Sequence, residues 1–330
     1  MGALVAGCAS GAPAADRLDI SGDIAVHDPA IWVGEEDEPW YVFSTGDVRI
    51  GLGSPQIRRS VDGGHTWENV GTVWDAKTRP QWVYEEVPGV ENFWAPEIVE
   101  HDGTYYLYWA ASTFGANTSA IGLSTNVTLD VDSPDYEWVD QGMVWQSKAG
   151  EDNYNAIDPG VITDQEGTPW MAFGSFWGGI FLLELEWPSG KAAPGAEPTL
   201  IASRIGAPNA IEAPYLMYHD GYYYLFVSKD SCCQGVDSTY NIVVGRSKDV
   251  TGPYVDKDGN LLTQDGGTQV LTTQGDMIGP GGQSLSNGYL ASHFYDGANG
   301  GAFRLDLRKL DWDGDGWPVA WTSEELKAQE

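Results

Sequence analysis

The sequence predicts an all-β fold, a five-bladed β-propeller, and three observations lead there. Aromatic residues are dense (Trp 15, Tyr 16, Phe 9 in 330 residues), while Gly 42 and Pro 18 interrupt the chain every few positions. That mixture suits many short strands joined by turns, and no long amphipathic helical period is visible. A proline-centred unit returns five times, as "HDPAIW" (Pro29), "WAPEIV" (Pro96), "IDPGVI" (Pro159), "EAPYLM" (Pro214) and "IGPGGQ" (Pro280). Each start leads into an apolar strand, a turn and a second strand, a self-similarity that marks a repeat architecture.

Taken in order, the first 19 residues read as an export or lipoprotein-like remnant and linker, with residues 20–330 as the propeller. Val5-Ala6-Gly7-Cys8 looks like a bacterial lipoprotein cleavage box, without the basic n-region and longer apolar core of a full signal peptide. A secreted or cell-envelope protein is expected. The turns after the five starts are "GEEDEPW", "EHDGTYY", "DQEGTPW", "YHDGYYY" and "LSNGYLA". Asp-Gly and Asn-Gly there supply the positive φ of tight hairpins. The strands are apolar on both faces, as in a sheet covered on both sides. "IGLSTN", "IFLLELE", "IVVGRSKD" and "FRLDLRKL" add strands, bringing each unit to about four, the size of a propeller blade. "SVDGGHTW" (Ser60–Trp67) matches the Asp-box hairpin, a fold-stabilising turn with little to say about chemistry.

The net charge is −31, from 17 Lys+Arg against 48 Asp+Glu. Such a surface repels phosphate backbones and anionic lipid, which argues against nucleic-acid and membrane partners. No segment after the N-terminus is apolar for long enough to span a bilayer. Besides Cys8 there are only Cys232 and Cys233, so a disulfide framework is excluded. A vicinal disulfide and two buried thiols stay equally open for that pair.

In a propeller the innermost strands line the axis, so equivalent points on different blades converge. Three units carry an acid at the start: Asp28, Asp158 and Glu212, with Trp94 and Ile278-Gly279 at comparable places in the others. Packing carboxylates together is electrostatically unfavourable, and their convergence suggests a use. Two acids across a sugar are what glycosidic cleavage needs. Glu212, flanked by apolar neighbours, suits the general acid; Asp158 suits a residue that raises and orients it; Asp28, beside polar His27, suits the ionised base. Glu97 and the acids of "GEEDEPW" lie off this point and are expected in solvent. Trp94, Phe114 and Phe176-Trp177 could offer flat faces to sugar rings.

With "HDPAIW", "FWAPEI", "STFGANTSAIGLSTN", "NAIDPGV", "FGSFWGGI", "IEAPYL", "CCQGVDSTYNIVVGRS", "SHFYDG" and "DWDGDGWPV" in view, the chain resembles the endo-α-1,5-L-arabinanases of glycoside hydrolase family 43 from about Ile20 to Val319. The resemblance implies hydrolysis of internal α-1,5 linkages of arabinan and arabino-oligosaccharides, with inversion; a monomer is expected. It places the base at Asp28, the modulator at Asp158 and the acid at Glu212. It places substrate contacts at Trp94, Phe114, Gly115, Asn155, Ala156, Ile157, Asp158, Ser175, Phe176 and Trp177. It also implies a largely water-coordinated calcium ion in the channel, held by His293; read alone, His293 is a core histidine. "DWDGDG" (Asp311–Gly316) reads as a turn, since it lacks the last ligand of a calcium-binding EF-hand loop. The Asp-box hairpin and the acidic surface depart from the family pattern and put habitat and fine substrate preference in question. The rivals are an exo-acting arabinofuranosidase or β-xylosidase of the same family and a non-catalytic carbohydrate-binding propeller. A β-fructosidase would place its acids in other motifs, and a sialidase would need an arginine cluster.

Overall fold

The structure, a computed structural model, describes residues 14–328. Five of its six sheets are blades, as the repeat predicts. The first comprises Ala30–Trp32, Trp40–Ser44, Gln56–Ser60 and Thr66–Thr72, with Ser21–Gly22 added parallel at the outer edge. The second runs Phe93–His101, Thr104–Ala111, Ser119–Asn126 and Val139–Ser147. Gly160–Thr163, Pro169–Phe173 and Ile180–Glu186 form the third, whose last strand pairs with both Lys191–Ala192 and Thr199–Ala202. The fourth is Ile211–His219, Tyr222–Lys229, Asn241–Ser247 and Thr268–Leu271. The fifth takes Met277–Ser286, Tyr289–Asp296 and Ala302–Lys309 from the end of the chain and its outer strand, Asp16–Arg17, from the start. Asp16 pairs with Lys309 and Arg17 with Arg308, so residues within the expected N-terminal linker close the ring. The Val5–Cys8 box lies outside the described residues.

Strand periodicity explains why both faces are apolar. Tyr106 and Tyr108 point into the seam with the third blade, whereas Leu107 and Trp109, one step along, point into the seam with the first. Five apolar clusters result, one in each seam between neighbouring blades. In the first seam Trp74, Phe93 and Trp109 meet edge to face at centroid distances of 5.0–5.2 Å. Such pairs contribute about 0.5–1.5 kcal/mol each beyond area burial. Trp109 lies flat over Gly122, where an added Cβ would come within 2.2 Å of the indole; Gly122→Ala would break this packing.

The Asp-box turn is built as its residues dictate. Asp62 Oδ1 accepts from the Ser60 hydroxyl (2.7 Å) and from the N–H groups of His65 and Thr66. Those bonds hold its carboxyl down at about 2. Trp67, buried beneath, donates Nε1–H to Gly64 O at 2.8 Å. "DWDGDG" is a turn as well: Asp313 Oδ1 accepts from Asp315 and Trp317 N–H, joining Asp311–Trp312 to Pro318–Val319. No helix among the described residues is long and apolar enough to cross a membrane.

Candidate active site

All five blade starts share a backbone device. The residue before each proline (Asp28, Ala95, Asp158, Ala213 and Gly279) sits at a left-handed φ between +40° and +56°. Proline disfavours right-handed helical angles in the residue before it, and four of these five residues carry a Cβ. Left-handed backbone is costly for a side chain with Cβ, and such strain concentrates at functional sites. The kink turns each strand start toward the axis.

The sequence alignment of the three acids needs one correction. Asp28 and Asp158 precede their prolines directly, whereas Glu212 stands one residue earlier, at the position of His27, Trp94 and Ile157. All six nevertheless line one cleft of about 840 Å³ at the axis. Phe114, Gly115, Asn155, Ser175, Phe176 and Trp177 line it too, as expected. Phe114 is 87% exposed and Trp177 37%, consistent with the space their neighbouring glycines leave. Ala156 is corrected: it is fully buried in the seam between the second and third blades and does not reach the cleft. Its neighbour Asn155 reaches it while accepting the Ser119 hydroxyl at 2.6 Å.

Asp28 sits among donors. Its Oδ2 accepts the Thr45 hydroxyl at 2.6 Å and faces His27 Nδ1 at 2.8 Å. Its backbone N–H donates to His293 Nδ1 at 3.1 Å, and Oδ1 lies 3.6 Å from that nitrogen. Burial pushes this carboxyl up, but the charge and hydrogen bond of His27, helped by His293 and Thr45, hold it well below the ordinary range. Asp28 is ionised.

Asp158 and Glu212 form the opposite neighbourhood. Burial raises both, and each acid feels other carboxylates: Glu212 and Asp28 press on Asp158, Asp28 on Glu212. Asp158 Oδ2 accepts only the Ala213 N–H, at 3.1 Å. The Ser175 hydroxyl donates to Glu212 Oε2 at 2.6 Å and, with Tyr240, partly offsets the rise. No lysine or arginine lines the cleft. Both carboxyls are therefore pushed toward the protonated form, and the two titrate as a unit.

Glu97, expected in solvent, is buried at 3% exposure. It lines a small axial cavity beneath the acids with Asp28, Asp158 and Gln283, and burial raises its carboxyl well above the ordinary range. The misreading has a physical origin: Glu97 follows Pro96, on the inner strand, where the channel wall is already closed. His293 is fully buried, stacked on His27 at a 3.7 Å centroid distance, and burial pushes it well below its ordinary value. His27, Asp28 and His293 bring ligand atoms within 4.8 Å of one another.

Sequence reasoning missed Thr45, Tyr240, Cys232 and Cys233 in the cleft wall. Thr45 was legible, because the hairpin pairing Ala30 with Phe43 continues to bring Thr45 opposite Asp28. Cys232 and Cys233 are a vicinal disulfide, half-buried and exposed respectively, which overturns the alternative of two buried thiols.

Comparison with known proteins follows the same lines. Residues 22–318 match the profile of glycosyl hydrolases family 43. The chain is similar to the extracellular exo-alpha-(1->5)-L-arabinofuranosidase ArbA of Cellvibrio japonicus, at 39% identity over 96% of this chain and 91% of the relative. It is similar to the extracellular endo-alpha-(1->5)-L-arabinanase 1 of Bacillus subtilis, at 40% identity over 94% and 92%. Among solved structures, the GH43 endo-arabinanase from Bacillus licheniformis superposes with a TM-score of 0.84 at 41% identity, covering 92% of this chain and 99% of that one.

Proposed function

We propose that this chain, which belongs to glycosyl hydrolases family 43, is an endo-α-1,5-L-arabinanase that cleaves internal linkages of arabinan with inversion. The observation that carries the reading is one cleft in which three carboxylates, from three blades, converge, one bonded to a histidine and pushed down, two pushed up by burial.

Each group has a part in that chemistry. Asp28, ionised and with Oδ2 already saturated by Thr45 and His27, has Oδ1 left to take a proton from the water that attacks the anomeric carbon. Glu212, its carboxyl raised by burial, donates its proton to the departing glycosidic oxygen, and the proton count balances: water loses one to Asp28 and the leaving group gains one from Glu212. Asp158, bonded to the N–H beside Glu212, favours retention of that proton by its own charge when ionised. Trp94, Phe114, Phe176 and Trp177 are the sugar-stacking surfaces, with Asn155, Ile157, Ser175 and Gly115 completing the walls.

A calcium ion at His293 is part of the proposal, and charge and donor type test the fit. Asp28, Asp158 and Glu97 border the axial cavity without a lysine or arginine, which suits a cation. Two imidazoles and one carboxylate are too few oxygens for a caged calcium, so His293 and Asp28 would hold an ion mostly wrapped in water. When bound it supplies positive charge that eases repulsion among the axial acids. Metal analysis of the purified protein, and a fall in melting temperature on chelation, test it. The curated relatives named extracellular support export.

The exo reading has one observation in its favour, the exo-acting name of a relative as similar as the endo-acting one. Linear debranched arabinan separates them: mixed oligosaccharides early in the reaction are expected, and arabinose alone would reject endo action. Unchanged linkage hydrolysis in both Asp28→Asn and Glu212→Gln would reject the mechanism. Proton NMR of the newly released anomer tests inversion.

A further inference from the structure

A chain of contacts runs from the vicinal disulfide to the carboxylate of Asp28. Cys233, held at φ +66°, donates its backbone N–H to the Tyr295 hydroxyl oxygen at 2.7 Å. That oxygen lies 2.9 Å from His27 Nε2, and His27 Nδ1 lies 2.8 Å from Asp28 Oδ2. Because an ionised carboxylate only accepts, Nδ1 carries a hydrogen whatever the state of Nε2, and the Tyr295 oxygen is the near partner of Nε2 in either case, with Cys233 Sγ farther off at 3.9 Å. The His27 ring is further confined by His293 stacked on one side at 3.7 Å and by the edge contact of Phe303 at 5.4 Å. The three links come from the fourth blade's cleft loop, the fifth blade and the first blade, so the chain crosses two seams.

Resting on the reading of Asp28 as the base, we propose that Tyr295 is a positioning residue for the reaction and that the Cys232–Cys233 disulfide is its anchor. The second donor to Oδ2 is fixed in the same way: Ala95 N–H donates to Thr45 Oγ at 3.0 Å, and Thr45 donates to Asp28. One carboxylate oxygen is thus pinned from two directions, each ending on a backbone N–H, while the other, 3.6 Å from His293 Nδ1, accepts no hydrogen bond. The disulfide ties adjacent residues into a small ring that keeps Cys233 N–H on Tyr295. When a dithiol reductant opens it, two electrons and two protons pass to the two sulfurs, the reductant closes to its own disulfide, and Cys233 is free to leave its left-handed conformation.

The test is a two-by-two comparison on debranched arabinan: wild type and Tyr295→Phe, each oxidised and after dithiothreitol, with free thiols counted by alkylation and mass measurement. Tyr295→Phe should lower kcat about tenfold to a hundredfold, the loss a misplacement near 1 Å brings, with KM within about twofold. Reduction should lower kcat several-fold in the wild type and by a clearly smaller factor in Tyr295→Phe, whose hydrogen-bonded link is already cut and which keeps only the 3.9 Å contact of Cys233 Sγ with His27. The double variant Cys232→Ser, Cys233→Ser should match the reduced wild type and ignore dithiothreitol, which keeps the test decisive if Tyr295→Phe folds poorly. A kcat for Tyr295→Phe within twofold of wild type, or the same fractional loss on reduction in both proteins, overturns the proposal. Asp28→Asn, run alongside, tells the two failures apart: if it stays active the assignment of the base has failed, and if it is inactive while Tyr295→Phe is normal only the positioning chain has.

Discussion

The two sides of the cleft use the same functional group to opposite ends. On the side of the first and fifth blades, Asp28 is buried among two histidines and a hydroxyl and is ionised. On the side of the third and fourth, Asp158 and Glu212 are buried without a bonded cation and are pushed up. Burial acts alike on all three; what differs is that a histidine is bonded to Asp28, whereas Glu212 meets neutral hydroxyls and Asp158 a single backbone N–H. Charge state in this molecule is set by the neighbours each blade start brings, with desolvation as a common background.

Breaking either side outright should have the largest effect. Asp28→Asn and Glu212→Gln each remove a proton-handling group while preserving shape, and Asn accepts the left-handed backbone at position 28. Each should lower kcat on arabinan by about a thousandfold or more, with an unchanged melting temperature showing an intact fold. Asp158→Asn sharpens the comparison, because it leaves the acid present and removes its like-charged neighbour. A loss of about a hundredfold in kcat is expected, and the pH profile adds a signed readout. Activity needs the protonated acid, so it falls as pH rises through the raised pKa of the pair; without the charge of Asp158, Glu212 releases its proton sooner and that limb moves to lower pH. On the other side, Thr45→Val removes one of the two donors to Asp28 Oδ2 without changing volume much, and kcat should fall about tenfold.

The smallest effect on activity belongs to Glu97→Gln, and it should appear in stability instead. A carboxyl raised by burial binds more protons in the native state than in the unfolded one between the two pKa values, so the wild type loses stability as pH rises through that window. The glutamine variant lacks this loss. Denaturation midpoints of the two proteins should coincide at low pH, below the unfolded pKa, and separate in favour of Glu97→Gln as pH rises. Parallel curves would show that Glu97 is ionised in the fold.

What the sequence revealed, and what it withheld, follows the range of the interactions. The five starts were legible because a proline and its turn are local, and a repeat multiplies a local signal. Phe114 and Trp177 were legible through their flanking glycines. Glu212 was found, standing one residue farther from its proline than Asp28 and Asp158; that both positions reach the cleft is what spacing alone does not tell. Glu97 was misplaced for a related reason: an acid in an inner strand looks like any alternating polar residue until five blades close around it. The contacts of Cys233, Tyr295 and His27 join three blades, and spacing along a chain carries no trace of them. Asp16–Arg17 is too short a strand to show a period.

That two-residue strand has a consequence for how the protein comes into being. Arg17 and its partner Asp306 stand 289 residues apart, so during synthesis the opening segment must wait, unpaired, until the last blade leaves the ribosome. Contacts so distant are slow to form, and partly finished chains expose what they will later cover. Until then Val26, Ile31 and Val42 lack the Ala291, Leu305 and Leu307 side chains that cover them, and a chain released before Ala291 would keep that flank bare, ready to stick to its own kind.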